Sequence, residues 1–342
     1  MPLEFNERPI PQINYITNST QFVDIPRDRN IRRIVMRFVI NVTTTATPPT
    51  YTEDNILNVI KKIRILQNGN DVKMNTPSRM WFYVEQYEKG TQPRFVAPTS
   101  SASTTADAEV CLIADFAQRR QDEDDISALL PARRFASLRL EIDWGGTADL
   151  ATANAPTINS ASRCIIEIRE VTGEEEITVG NDSKVRSIDE LDFIDLREAI
   201  VTQPIDSNHS SFDNDTLKSN VIPAPAIIYQ QALMVRDQTA PWGVKSNALV
   251  TDIKVQKEVG RPRNILQRTF FSLFGEIKVE YQIETSVTGF IYIDWKDKLR
   301  YGLENTGNEG DVKYRFLTAG FVSGQNIDIF TRSEATPFAK LA

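Results

Sequence analysis

Few residue types in this chain could do covalent or metal chemistry. It has a single histidine and two cysteines among 342 residues. Serine-type triads, zinc hydrolases and cupin-type metal sites mostly need one to three histidines in fixed places. His209 lies in Ser207-Asn208-His209-Ser210-Ser211, a polar composition that predicts an exposed loop histidine rather than a catalytic one. Cys111 and Cys164 cannot build a disulfide framework and fit folding in a reducing compartment. Cys164 falls in an alternating run and reads as a small core residue. The acidic run Gln121-Asp122-Glu123-Asp124-Asp125 lacks the Asp-x-Asp-x-Asp-Gly spacing of a calcium loop. It reads as a solvated loop, with a weak divalent site as the alternative. Two-carboxylate glycoside hydrolysis needs no histidine, but 46 acids single out no pair. Asp143 and Asp294 follow core-facing residues and are expected to point outward. Trp144, Trp242 and Trp295 offer rings for stacking on sugars, although Trp144 and Trp295 end alternating strands and read more simply as packing residues. There is no phosphate loop and no Gly-x-Gly-x-x-Gly, and glycine is only 15 of 342. The sequons at Asn18 and Asn41 matter only with a secretion route. The expectation is no catalytic residue, no cofactor and no metal.

Bulk composition agrees. Lys plus Arg is 39 and Asp plus Glu 46, a net charge of −7, which argues against a dedicated nucleic-acid binder. Hydrophobic residues at 41% and charged residues at 25% are ordinary for a globular protein. The N-terminus has no apolar signal core, and no apolar run approaches the ~20 residues of a membrane helix. The length predicts two domains at ~150 residues each.

The elements that would carry these residues read as mainly β. Residues 1–25 hold Pro2, Pro9 and Pro11 and are expected to form an extended arm. Ile34, Met36, Phe38, Ile40 and Val42 alternate on one strand face. Val59 to Gln67 predicts a strand running into Asn68-Gly69, a hairpin signal. Thr76 to Gly90 predicts a helix with Thr76 as cap, Pro77 in the first turn and Gly90 as stop. Ala97 to Ala108 reads as a long surface loop, Glu109 to Ile113 as a short strand. Phe135 to Trp144 and Arg163 to Val171 alternate again. The polar stretch from Gly173 to Glu190 marks a boundary. Beyond it, strands are predicted at Ala226–Val235, Leu249–Val255, Glu276–Glu284, Gly289–Trp295, Val312–Phe316 and Gln325–Phe330, with a helix at Ile265–Phe274. Short strands at this spacing mean a sandwich or barrel.

The halves look duplicated. Lys62-Ile63-Arg64-Ile65 matches Asp252-Ile253-Lys254-Val255 at an offset of 190, Gly90 matches Gly275 at 185, and Leu140-Glu141-Ile142-Asp143-Trp144 matches Ile291-Tyr292-Ile293-Asp294-Trp295 at 151. The falling offset implies ~34 extra residues in the first half, where loop-like material lies. The two alternatives to duplication are unrelated β domains and one irregular sandwich.

This order of strand, turn, helix and late strand pair resembles the double jelly-roll major capsid proteins of tailless icosahedral viruses, many with an internal membrane. The opening Thr20-Gln21-Phe22-Val23-Asp24-Ile25-Pro26-Arg27-Asp28 and the approach Leu129-Leu130-Pro131-Ala132-Arg133-Arg134-Phe135 carry the likeness too. It spans nearly the whole chain as a pattern, without a diagnostic motif. The resemblance implies a mainly β fold of two tandem antiparallel jelly-roll sandwiches with short helices and long loops. The first roll would cover 26–175, with a loop insertion at about 91–131, and the second 190–342. It implies a structural, non-enzymatic virion protein of a bacteriophage or archaeal virus, forming trimeric pseudo-hexameric capsomers that tile a shell assembled in the host cytoplasm. Expected partners are its own copies, penton or minor capsid proteins and an internal viral membrane; no specific nucleic acid is expected. Ala97 to Asp125 and Asn208 to Ser219 are candidate outward towers. The end of the chain, Thr336 to Ala342, is too short and weakly charged for the basic tail of some relatives. Inward contact would then fall to the N-terminal segment, where Arg27, Arg29, Arg32 and Arg33 form a candidate membrane- or neighbour-facing cluster. A solvated basic turn paired locally with Asp24 and Asp28 is the alternative. A virion spike or lectin-like carbohydrate- or receptor-binding sandwich is the second reading, and a β-sandwich glycoside hydrolase the third.

Overall fold

The structure is a computed structural model. It describes residues 4–335 except 50, 52, 117, 121–122, 126–128, 152, 180–181, 188–192, 194, 213–216, 221–225, 238–244, 258–262, 283–286, 300–301 and 306–311. Trp242, part of the acidic run and Thr336 to Ala342 lie outside the described residues. The chain forms two compact units. The first comprises residues 1–78 and 93–196, the second residues 79–92 and 197–342. No helix among the described residues is long and apolar enough to cross a membrane.

The first unit begins with β1 (Glu4–Asn14), β2 (Thr20–Asp24), β3 (Asn30–Thr43), α1 (Glu53–Val59), β4 (Ile60–Gln67) and β5 (Asp71–Thr76). The next helix, α2 (Ser78–Lys89), leaves this unit after Ser78. The first unit resumes with β6 (Phe95–Val96), β7 (Thr105–Asp115), β8 (Gln118–Arg120), β9 (Glu123–Asp125), β10 (Leu138–Trp144), α3 (Thr147–Leu150), β11 (Thr157–Ile158), β12 (Arg163–Thr172) and the hairpin β13 (Glu174–Val179) and β14 (Asp182–Ser187). One sheet runs β1-β12-β3-β7-β6, with β11 also on β3; the other runs β2-β10-β4-β5. The strand pairs of both sheets are antiparallel. Strict alternation explains why they face each other. Met36, Phe38, Val110, Leu112, Cys164 and Ile166 point inward from one sheet, and Ile63, Ile65, Leu140 and Ile142 from the other, all buried. Trp144 closes this core edge-on to Tyr15 and Phe38, at ring distances of 5.5 and 5.8 Å. Gln67 pairs with Asp71, so a three-residue turn joins β4 to β5, and its Asn68 and Gly69 have φ of 51° and 90°, the left-handed geometry these two residue types adopt most readily.

The second unit takes in Arg79–Gln92 of α2 and continues with β15 (Leu196–Pro204), β16 (Leu217–Asn220), β17 (Ala226–Arg236), β18 (Val250–Lys257), β19 (Arg263–Thr269), α4 (Phe270–Glu280), β20 (Phe290–Asp294), α5 (Trp295–Leu299), β21 (Leu303–Asn305), β22 (Val312–Thr318) and β23 (Asn326–Ala335). Its sheets run β15-β23-β17-β20, with β21 on β17, and β16-β22-β18-β19. Apart from β6, this repeats the strand order of the first unit, so the chain is two tandem jelly rolls. Inside the second, Gln231 Oε1 accepts from Trp295 Nε1–H at 2.7 Å and Tyr314 Oη–H at 2.6 Å, so two buried aromatic polar groups are satisfied by one buried amide.

Several expectations need correction. Residues 1–25 are not an arm awaiting a partner: β1 pairs with β12 and β2 with β10. Pro9 and Pro11 are tolerated because β1 is an edge strand, and Ile10 and Ile13 are buried. The 91–131 insertion contains strand β7, whose inward Ala108 and Ala114 gave it a loop-like composition. The candidate towers likewise include strand, β7 in one and β16 in the other. The helix expected at Ile265–Phe274 starts only at Phe270, because Thr269 Oγ1 caps it by accepting from Ser272 N–H at 3.1 Å. It continues through Gly275 to Glu280, so Glu276–Glu280 is helix where a strand was expected, and residues 283–284 of that expectation lie outside the described residues. The duplication is real, but β10 corresponds to β22 and β20 to β7. Leu140 pairs with Ile65 and Tyr314 with Val255. With Ile65 laid on Val255, Leu140 falls on Tyr314 at an offset of 314 − 140 = 174, so the first half is longer by 190 − 174 = 16 residues over this interval, not ~34. His209 is buried rather than exposed. It exchanges backbone hydrogen bonds with Thr318 at 3.2 and 2.9 Å, and its Nε2 lies 2.8 Å from Asp206 Oδ1, so it pins a loop to the end of β22.

Candidate functional site

The four arginines of the basic cluster lie between β2 and β3 and at the start of β3, and each is engaged within its own roll. Arg33 Nε and Nη2 donate to Asp115 Oδ2 at 3.0 and 2.5 Å. Arg27 Nη1 donates to the carbonyl of Phe135 at 2.5 Å. Arg32 stands over the Phe5 ring at 5.2 Å, and Arg29 lies 3.9 Å from Glu170. Asp24 and Asp28 serve other arginines: Arg139 at 3.2 Å and Arg8 at 2.7 Å. Glu170 is buried and lies 2.6 Å from Arg8. Burial pushes its carboxyl above the usual range, although Arg8 and Arg29 pull the other way.

That direction sets a sign. A carboxyl raised in the fold binds protons more readily than in the unfolded chain, whose value is ~4.3. Stability from this group therefore rises as pH falls through its raised folded value, and above that its buried charge is a net cost. Glu170→Gln is expected to match or exceed wild-type stability at pH 7, by on the order of 1 kcal/mol. The advantage should shrink on acidification toward pH ~4.5. Urea midpoints at both pH values check it; a variant clearly less stable at pH 7 contradicts it.

The second unit holds the other concentration of function-bearing side chains, on the outer face of its β15-β23-β17-β20 sheet. Here the α2 segment Arg79–Gln92 is part of the unit. Tyr83 and Tyr87 pack on Phe290 at ring distances of 5.6 and 5.2 Å, and Tyr87 stacks on Tyr292 at 6.1 Å. Tyr87 Oη accepts from Val287 N–H at 3.1 Å. Lys245 Nζ donates to Tyr83 Oη and lies 3.9 Å from the centre of its ring. Glu88 takes Arg332 Nη1 at 3.0 Å, while Glu198 Oε1 accepts from Arg332 Nε and Nη2 at 3.0 and 2.8 Å. Gln230 Oε1 accepts from Nη1 at 2.6 Å. Burial opposes charge on Arg332, but Glu88 and Glu198 outweigh it and hold the guanidinium more firmly protonated than usual. Burial likewise opposes charge on Glu88, yet Arg332 keeps its carboxyl below the ordinary range. Tyr292 is pushed up by burial and the neighbouring Glu88 and Asp294 charges.

These groups form an ion-paired aromatic seam. Among the described residues no group of three or more His, Cys, Asp or Glu could hold a metal ion. Trp144 and Trp295 are each 1% exposed, so neither ring is open to a sugar. The four arginines read from the sequence belong to the first unit, the seam to the second. The seam itself went unread because α2 looked like the core helix of its own half. Its one sequence signal is the unbroken apolar run Met80-Trp81-Phe82-Tyr83-Val84, more than one helix face needs; Met80 through Glu85 are buried without a break.

No protein-family model matches the chain, and no curated protein matches it. Solved structures do. The major capsid protein of Sulfolobus Turreted Icosahedral Virus is similar over 99% of both chains, at 16% identity and a TM-score of 0.77. The major capsid protein P2 of bacteriophage PM2 is similar over 98% of this chain and 99% of its own, at 10% identity and a TM-score of 0.57. The PBCV-1 virus capsid is similar over 98% and 96%, at 9% identity and a TM-score of 0.59. With the same sheet order read twice along one chain, this protein has the double jelly-roll fold of the viral major capsid proteins.

Proposed function

We propose that this chain is the major capsid protein of a tailless icosahedral virus, a building tile without chemistry of its own. The observation that carries the reading is end-to-end likeness, over 99% of both chains, to a capsid protein built from the same duplicated roll. Two rolls per chain suit a three-chain ring of six similar modules, since closed cyclic symmetry is the usual route to a finite assembly. On this reading the protein resides in the virion shell, after assembly in the host cytoplasm. Its partners are its own copies, penton or minor capsid proteins and, through the segment around Arg27, Arg29, Arg32 and Arg33, the lipid phosphates of an internal membrane. The burial of Trp144 and Trp295 weighs against the carbohydrate-binding alternative. Light scattering over a range of concentrations tests the proposal. The expected species has three times the chain mass of 38.7 kDa; a monomer at all concentrations would overturn it and send the work to glycan screens.

A further inference from the structure

We infer that the exposed face of α4 is the docking surface for a second copy of this chain, and that it seats on the outer face of the β1-β12-β3-β7 sheet of that copy. The inference rests on the capsomer reading and names its contact. The two post-hairpin helices are equivalents: α2 follows β5 and α4 follows β19, the matching last strands of matching sheets. Their surroundings differ. The α2 segment sits on the outer face of the second unit's β15-β23-β17-β20 sheet, where Phe290, Tyr292, Ala232, Met234 and Phe330 are buried. On α4, Phe270, Leu273 and Ile277 are buried, but Phe271 and Val279 are 83% and 79% exposed. Spaced i, i+4 and i+8, Phe271, Gly275 and Val279 share one helical stripe. Among the described residues, nothing lies within 4 Å of where a Cβ on Gly275 would stand. An apolar stripe on a helix is normally covered.

The duplication says what covers it. The surface equivalent to the one α2 occupies is the outer face of the first unit's sheet. There Val35, Cys111, Ile113 and Ile165 are half-buried. They are neighbours by register: Val35 opposes Ile113, and Arg37 opposes both Cys111 and Ile165. A contact from the second roll of one copy to the first roll of the next is heterologous, and such contacts close into a ring when the rotation permits.

Two experiments test this. First, Phe271→Asp/Val279→Asp is compared with wild type by sedimentation and by its urea midpoint. The expected result is a wild-type trimer and a folded, monomeric variant with one cooperative urea transition that no longer depends on protein concentration, since both side chains are exposed. A variant that stays trimeric overturns this inference and leaves the capsomer reading standing; a monomeric wild type overturns both. Second, Phe271→Cys, Gly275→Cys and Val279→Cys are made singly and oxidised, using native Cys111 as the reporter. At least one should give a disulfide-linked ladder up to trimer on a non-reducing gel, abolished by Cys111→Ser. No Cys111-dependent ladder from any of the three overturns the proposed seat.

Discussion

Arg332→Met is expected to destabilise the protein by about 3–5 kcal/mol, because it leaves a buried carboxylate without its counter-ion. Glu198 is 6% exposed and takes two hydrogen bonds from this guanidinium at 3.0 and 2.8 Å. With methionine in place, the buried Glu198 carboxylate loses both hydrogen bonds and its counter-ion. Glu88 is better exposed, at 36% of its side chain, and contributes less. The pH dependence follows from its direction. A carboxyl held below its unfolded value of ~4.3 contributes stability that is present above that pH and lost as pH falls through the lower folded value. The Arg332→Met variant should lose that acid-side slope. Urea denaturation at pH 7 and pH 4 measures both effects. A cost below ~1 kcal/mol would put this cluster in the class of surface ion pairs.

Tyr87→Ala should cost a comparable amount, about 3–5 kcal/mol for emptying a large buried aromatic site. Tyr87 is 1% exposed, lies against two rings and accepts the Val287 N–H. Tyr87→Phe separates the terms, because it keeps the ring and removes the acceptor. The expected cost is then ~1 kcal/mol, with the peptide N–H of Val287 left unsatisfied. Equal losses for the two variants would mean that the hydroxyl, not the packing, holds α2 in place. Thermal and urea unfolding of both variants decide between these outcomes.

Strands with clean alternation were legible in the sequence. Those around Met36, Ile63, Leu140 and Ile166 lie where the period of two puts them, since each has one wholly buried and one wetter face. Regions where another signal dominates were not. The prolines of β1 mask an edge strand that needs no outward donor, and the alanines of β7 mask an inward row. At α4, a valid apolar spacing counted from Leu266 ran through a cap at Thr269 that only the fold reveals. Repetition was visible, but Ile-Asp-Trp tied β10 to β20, a likeness of composition between strands of different rank in the sheets. The seam at Arg332 was illegible for a physical reason. Glu88 and Arg332 are 244 residues apart, and no local pattern announces a partner at that range.

Because Arg79–Gln92 belongs to the second unit, the order of synthesis has a cost. The Val287 N–H that meets Tyr87 lies 200 residues downstream. On the ribosome, the buried run from Met80 to Glu85 must wait, uncovered, until most of the chain has emerged. Contacts of such long range close slowly, and the waiting surface is prone to aggregation. A fragment ending near Leu196 would hold this helix with nothing to sit on, and one beginning at Arg197 would expose Phe290 and Tyr292. The two rolls are tandem in sequence, yet the second unit includes a segment that lies within the sequence span of the first.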